Sequence, residues 1–307
     1  MHTIRSEIAA ISYLCFVMCV APARAQIRGS YTPGAAAVNS GALPDAGLTY
    51  QVLVQPYSFD KTKGADGGKL PVNGKVSVFI EQNTFVCVSK LTILGGTYAA
   101  TANLEIASSS LTSVRFGALA SASGFGDADF SPLTLGWERP RADLQASYGF
   151  TVPTGRFHDG ASDNTGAGYW VHSLSAGQTV YITADKGTAL SAYEVYEFHG
   201  AQKDTDARPG QTFDIDYSVT QMLPLTRDKQ ALLQVGVVGY GQYQTTETRR
   251  PSAIGVDARY KVNALGATAG VVLPERKVSL NLEFFKEFAN RSTVEGRSLQ
   301  IGVAVTF

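Results

Sequence analysis

The sequence predicts an all-β fold, an antiparallel up-and-down barrel of about twelve strands. Three observations carry this. Apolar and polar residues alternate with period two from Leu48 to Phe307. The connections between alternating stretches divide into short and long ones. Charged residues are scarce at 17%, while glycine is frequent at 31 of 307 residues and tyrosine and phenylalanine number 14 and 15.

The alternation recurs stretch after stretch. In DLQASYGFTV, Leu144, Ala146, Tyr148, Phe150 and Val152 share one side, with Asp143, Gln145, Ser147, Gly149 and Thr151 on the other. TFDIDYSVT and KVSLNLEFFKEF repeat the pattern. A helix would smear these residues around its circumference, whereas a strand sorts them onto two faces. Strands are expected near 48–59, 76–94, 97–112, 131–139, 142–153, 170–183, 188–199, 211–222, 231–245, 259–273, 277–288 and 297–307. The last, SLQIGVAVTF, has to close on the first.

The joints alternate in length. DKTKGADGGKLPVNG, ASGFGDADF, TGRFHDGASDNTGAG, HGAQKDTDARPG and ANRSTVEG are long and polar. Gly95-Gly96, Glu138 to Arg141, Asp185 to Gly187, Pro224 to Lys229 and Pro274 to Arg276 are short. An even strand count with short turns at one end and long loops at the other fits a transmembrane barrel, with turns facing the periplasm and loops facing outside. Three features favour an apolar face turned to lipid and a polar face turned to the lumen. Polar faces recur strand after strand. Aromatic residues such as Tyr50, Trp137, Tyr148, Phe150, Trp170, Tyr181, Phe198, Tyr217 and Phe288 lie near strand ends, as interfacial girdles require. The N-terminus carries an export signal.

That signal consists of Arg5, an apolar run from Ile8 to Val20, and the small-x-small sequence Ala23-Arg24-Ala25. Cleavage after Ala25 is expected. The run is shorter than the ~20 residues of a spanning helix. A domain division follows: a signal over 1–25, an extension over 26–44 and a barrel over 45–307. The extension is rich in Ala, Gly, Ser and Pro, and its low apolar content favours a poorly ordered segment over a plug inside the barrel.

The 26 basic and 26 acidic residues balance, which gives no electrostatic argument for a nucleic-acid partner. Cys15 and Cys19 leave with the signal. Cys87 then remains alone and reads as a small strand residue. His158, His172 and His199 show no metal-ligand spacing, and neither a phosphate loop, a dinucleotide fingerprint nor a GxSxG elbow occurs. No cofactor, metal or catalytic residue is expected, and the chain does not read as an enzyme. Ser191 and His199 on one strand would lie about 26 Å apart at 3.3 Å per residue, too far for a catalytic pair.

Several stretches then resemble a known family. GFGDADFSPLTLGWERPRADLQASYGFTVPTGRF presents Gly124, Gly126, Asp127, Pro132, Leu133, Gly136, Trp137 and the run Val152-Pro153-Thr154-Gly155. With RPGQTFDIDYSV and the closing LNLEFFKEFANRSTVEGRSLQIGVAVTF, this resembles the outer-membrane proteins named for the meta-pathway of phenol degradation. The resemblance covers roughly the whole chain after the signal. It implies an outer-membrane barrel in a Gram-negative-type cell, associated with aromatic catabolism and with entry of hydrophobic substrates. It supplies no catalytic residues.

The expected function is passive uptake of small hydrophobic or aromatic compounds. A structural or surface-interaction barrel with a plugged lumen is the alternative, and a lipid-modifying enzyme a weaker one. Strand parity gives Gln145, Asp214, Asp216, Gln234, Tyr240, Asn281 and Glu283 as lumen-lining candidates, and hydrogen bonds that staple the interior are the simpler role for each. Partners would be outer-membrane lipids, the barrel-assembly machinery and a small apolar or aromatic solute. Phe307, a terminal aromatic on the closing strand, is the expected assembly signal.

Overall fold

The computed structural model describes residues 28–70, 75–113, 117–161, 163–205, 207–249 and 258–307. The export signal expected over 1–25 lies outside them. The strands are β1 Gly47–Lys63, β2 Lys69–Leu70, β3 Lys75–Ile93, β4 Gly96–Ser113, β5 Gly117–Arg139, β6 Ala142–Val152 and β7 Val171–Tyr181. They continue with β8 Thr188–His199, β9 Thr212–Pro224, β10 Leu232–Gln244, β11 Lys261–Leu273, β12 Val278–Glu287 and β13 Val294–Thr306. β2 is a two-residue ladder at the top of β1.

The remaining twelve strands each pair antiparallel with the next, and β13 returns to β1, from Thr49 opposite Thr306 to Thr62 opposite Val294. Closure is the physical requirement for crossing lipid on strands, because each unpaired backbone group in hydrocarbon costs several kcal/mol. No helix among the described residues is long and apolar enough to cross a membrane.

The facing is inverted relative to a soluble protein. Leu144, Leu174, Leu190, Val219, Val237, Leu265, Leu280, Leu282 and Phe284 are exposed, while Thr179, Thr212, Asp214, Asp216, Gln242 and Gln300 are almost wholly buried. Strand periodicity therefore puts apolar side chains on the lipid side and polar ones inside. In β13, Ser298 and Gln300 point inward and Ile301 outward.

Short and long connections separate as expected. Leu94-Gly95 has positive φ at both residues, 52° and 73°, the geometry of a tight hairpin turn whose twist matches its strands. The expected Gly95-Gly96 turn is thus shifted by one residue, because Gly96 already pairs with Ile93. A larger departure concerns ASGFGDADF. It is not a loop but part of the 23-residue β5. Residues 117–124 alternate only among Ala, Ser, Gly and Leu, so no apolar stripe marks the strand. It nonetheless pairs with the serine-rich end of β4, with one register irregularity there and two more further along the β4–β5 ladder. Tyr181 also differs from the girdle expectation, since its hydroxyl turns inward and donates to the Asp143 carboxylate. Phe150 and Trp170 do meet at the loop end, ring centroids 6.3 Å apart, and exposed Phe198 lies against Tyr196 with centroids 4.9 Å apart.

Candidate functional site

The lumen is not empty. Residues 28–46 precede β1 and hydrogen-bond or pack against β1, β3, β5–β10, β12 and β13. A segment that touches inward side chains around a closed barrel can lie only inside it. The loose extension expected over 26–44 is, from Arg28 onward, a plug in the lumen. The physical reason is the inverted facing: a segment that fills a largely polar interior is held mainly through backbone groups and small side chains, with few apolar ones.

Three acidic residues hold its first half. Glu197 accepts from the Ser30 and Tyr31 amides at 3.0 and 2.8 Å. Asp216 accepts from the Tyr31 hydroxyl at 2.5 Å and from the Gly34 and Ala36 amides at 2.8 and 3.2 Å. Charge-assisted bonds of this kind are about twice as strong as neutral ones. Arg28 forms a partly buried ion pair with Glu287 at 2.9 Å and donates to the Val294 carbonyl at 2.8 Å. Burial disfavours its charge, but Glu287, with Tyr57 and Tyr240, outweighs burial and holds the Arg28 pKa above its ordinary value. Burial, and then Asp216, push the Tyr31 hydroxyl upward.

The second half leans on neutral groups. Asn39 and Gln234 exchange amide hydrogen bonds at 3.3 and 3.0 Å. The Gly41 amide donates to Thr179 at 3.0 Å, and Gln145 donates to the Ser40 carbonyl. Contact is backbone to backbone here: a Cβ added at Gly177 would overlap the Ser40 carbonyl oxygen. Two apolar patches complete the seating. Ala37 and Val38 pack with Val238, Tyr240, Val262 and Phe285, and Leu43 packs on Val86, Val88 and Ala99.

The sequence-derived lining residues fall as follows. Asp216, Gln234 and Gln145 contact the plug directly. Tyr240 packs in the same buried cluster as Ala37, with its ring tilted against Phe285, and also donates to Glu287, the partner of Arg28, at 3.1 Å. Asp214 and Glu283 are buried on the inner wall, Asp214 opposite Gln242. Asn281 is half-buried across from Gly270 and Gly302. Sequence reasoning missed Glu197, Arg28 and Tyr31. Inward parity was the signal available for Glu197, but nothing marked it apart from other polar wall residues. The chain's Ser191 and His199 take separate partners: Ser191 bonds Thr179 at 3.0 Å, and His199 bonds the Gly210 carbonyl at 2.8 Å. Cys87 is a free thiol on the outer face.

The plug does not cover the wall evenly. Toward the loop end of β3, Val76, Val78 and Ile80 face inward yet are only half-buried, as are Leu53 of β1 and Ala107 of β4. Their parity is set by Gln82, which reaches the plug residue Thr32 at 2.9 Å. This is a further inward apolar strip, half-buried where the two patches that seat the plug are buried. At the turn end a cavity of about 340 Å³ opens between the plug and β7–β10, bounded by Asn39, Asp185, Lys186, Thr220 and Gln234.

A closed twelve-stranded barrel with apolar exterior, polar interior and an N-terminal plug is a transmembrane barrel of the outer-membrane class. The chain belongs to the family described as the MetA-pathway of phenol degradation, whose model matches residues 59–301. An outer-membrane channel from Pseudomonas putida F1 is similar in structure, with TM-score 0.70 and 18% identity over 90% of this chain and 100% of that one. The translocator domain of the autotransporter NalP from Neisseria meningitidis aligns at TM-score 0.51 and 14% identity, over 87% of this chain and 91% of that one. Both likenesses are of fold. A comparison with curated proteins found no match.

Proposed function

We propose that the protein is an outer-membrane channel that admits small hydrophobic or aromatic compounds passively, in cells that catabolise such compounds. The observation that carries this reading is the inward apolar strip of Leu53, Val76, Val78 and Ile80 beside the plug. A lumen meant only for water and ions gains nothing from it. Apolar solutes gain by leaving water along such a strip, at about 25 cal/mol per Å² of apolar surface covered. Membership of the phenol-degradation family and likeness to a protein described as a channel support the same reading. The plug then narrows the passage and limits passage of polar solutes. The test is solute entry into liposomes carrying the refolded mature chain; entry of phenol-sized aromatics no faster than into protein-free liposomes would refute the channel.

The second reading is a structural or surface-interaction barrel. The hydrogen-bonded fit of residues 28–46 favours it. It requires that flux stay at background even when the plug is deleted.

A further inference from the structure

The outer wall carries a concavity that the channel reading does not use. It measures about 620 Å³ and crosses β12, β13, β1, β3, β4 and β5 near their loop ends. Its floor follows strand register. One row, Phe284, Leu299, Pro56 and Phe79, is apolar, and the row one outward position nearer the loops reads Arg297, Ser58, Ser77 and Ser110. Lys286 stands directly opposite Arg297 in the ladder, on the same outward face. Both cations are exposed.

On each strand these groups sit where the outward apolar series stops. In β12, Leu280, Leu282 and Phe284 are followed by Lys286, with exposed Phe288 just past the strand's end. In β13, Ile301 and Leu299 are followed by Arg297. Like charges directly opposite on one sheet face repel. Among the described residues neither cation makes an ion pair or a side-chain hydrogen bond, and the nearest inward acids, Glu287 and Glu295, are committed to Arg28, Lys61 and Lys63. No described residue neutralises the pair, and both cations stand open to an anion. Hydroxyls of Ser58, Ser77 and Ser110 line the same level as further donors. The apolar row beneath provides a bed for hydrocarbon.

We infer that this groove binds a phosphorylated lipid of the outer leaflet, with headgroup phosphate between Lys286 and Arg297 and an acyl chain along Phe284, Leu299 and Phe79. An anion between two cations satisfies both, and guanidinium forks suit phosphate geometry. The location at the upper edge of the apolar band matches the depth of a lipid headgroup.

Native mass spectrometry of the full mature chain in detergent tests this, with bisphosphorylated lipid A as probe. The chain with Lys286→Gln and Arg297→Gln is compared with a control carrying Arg227→Gln and Lys229→Gln in a periplasmic turn. Heat-modifiable gel migration verifies that each variant is folded. Retained lipid A on the native chain and the control, with at least tenfold weaker retention on the groove variant, is expected. Fully dephosphorylated lipid A should be retained no better by the native chain than by the groove variant. Equal retention of lipid A by groove variant and native chain would overturn the proposal. So would equal native retention of phosphorylated and dephosphorylated forms, or complete displacement of lipid A by millimolar inorganic phosphate.

Discussion

Asp216→Ala should loosen the plug without dismantling the barrel. The substitution removes three hydrogen bonds from one carboxylate, to the Tyr31 hydroxyl and the Gly34 and Ala36 amides. Bonds to a charged acceptor are worth about 1.5–3 kcal/mol each, so the gross loss is roughly 4–9 kcal/mol. Two effects reduce it: the buried carboxylate no longer costs its desolvation, and freed amides can be hydrated in the lumen. The net shift toward the unseated state is about 2–4 kcal/mol, or roughly 30- to 700-fold in its population. The readout is a cysteine at Ala37, which is 1% exposed and packs between β10 and β12. In a Cys87→Ser background, labelling of that thiol by a membrane-impermeant maleimide follows the open population when reclosing is fast. The rate should rise by that factor when Asp216→Ala is added. An unchanged labelling rate in a folded barrel would refute the hydrogen-bond account of plug seating.

Three further outcomes follow from particular residues. Ile80→Glu places a carboxylate on the inward apolar strip and should lower entry of aromatic solutes into liposomes several-fold, while heat-modifiable migration stays native. Gly177→Val puts side-chain atoms where the Ser40 carbonyl sits, so it should displace the second half of the plug and raise proteolysis near residues 40–44 in the folded barrel. Deletion of Phe307, a largely exposed residue whose amide donates to the Leu48 carbonyl at 2.9 Å, should lower the yield of assembled barrel in cells. Its refolding in detergent should change less. Equal yields in cells would remove Phe307 from assembly.

Most of the wall was legible because lipid on one side and water or polar groups on the other force a two-residue period. β8 falls at Thr188–His199 as the alternation places it, and the closing pairing of β13 with β1 follows from the need to leave no edge. Where both faces are small and polar, as in residues 117–124, that contrast vanishes and the strand reads as a loop. The plug was hidden for a related reason. Its alanines, glycines and serines resemble a disordered linker by composition, and only the positions of Glu197, Asp216 and Thr179 on a closed wall give its amides partners. Parity put Asp216 and Gln234 on the inner face, but it says nothing of what they touch. Val76, Val78 and Ile80 fall within the strand expected over 76–94, but their inward direction depends on the register of β3 against β1 and β4, which no local pattern fixes.

Relative entry of phenylalanine and serine into liposomes bearing the mature chain tests the channel reading most directly. Both solutes are zwitterions that cross lipid slowly, and serine is the smaller. Passage along the apolar strip predicts faster protein-dependent entry of phenylalanine, reversing the order that size alone would give. Faster entry of serine, or no entry of either above protein-free liposomes, would contradict it.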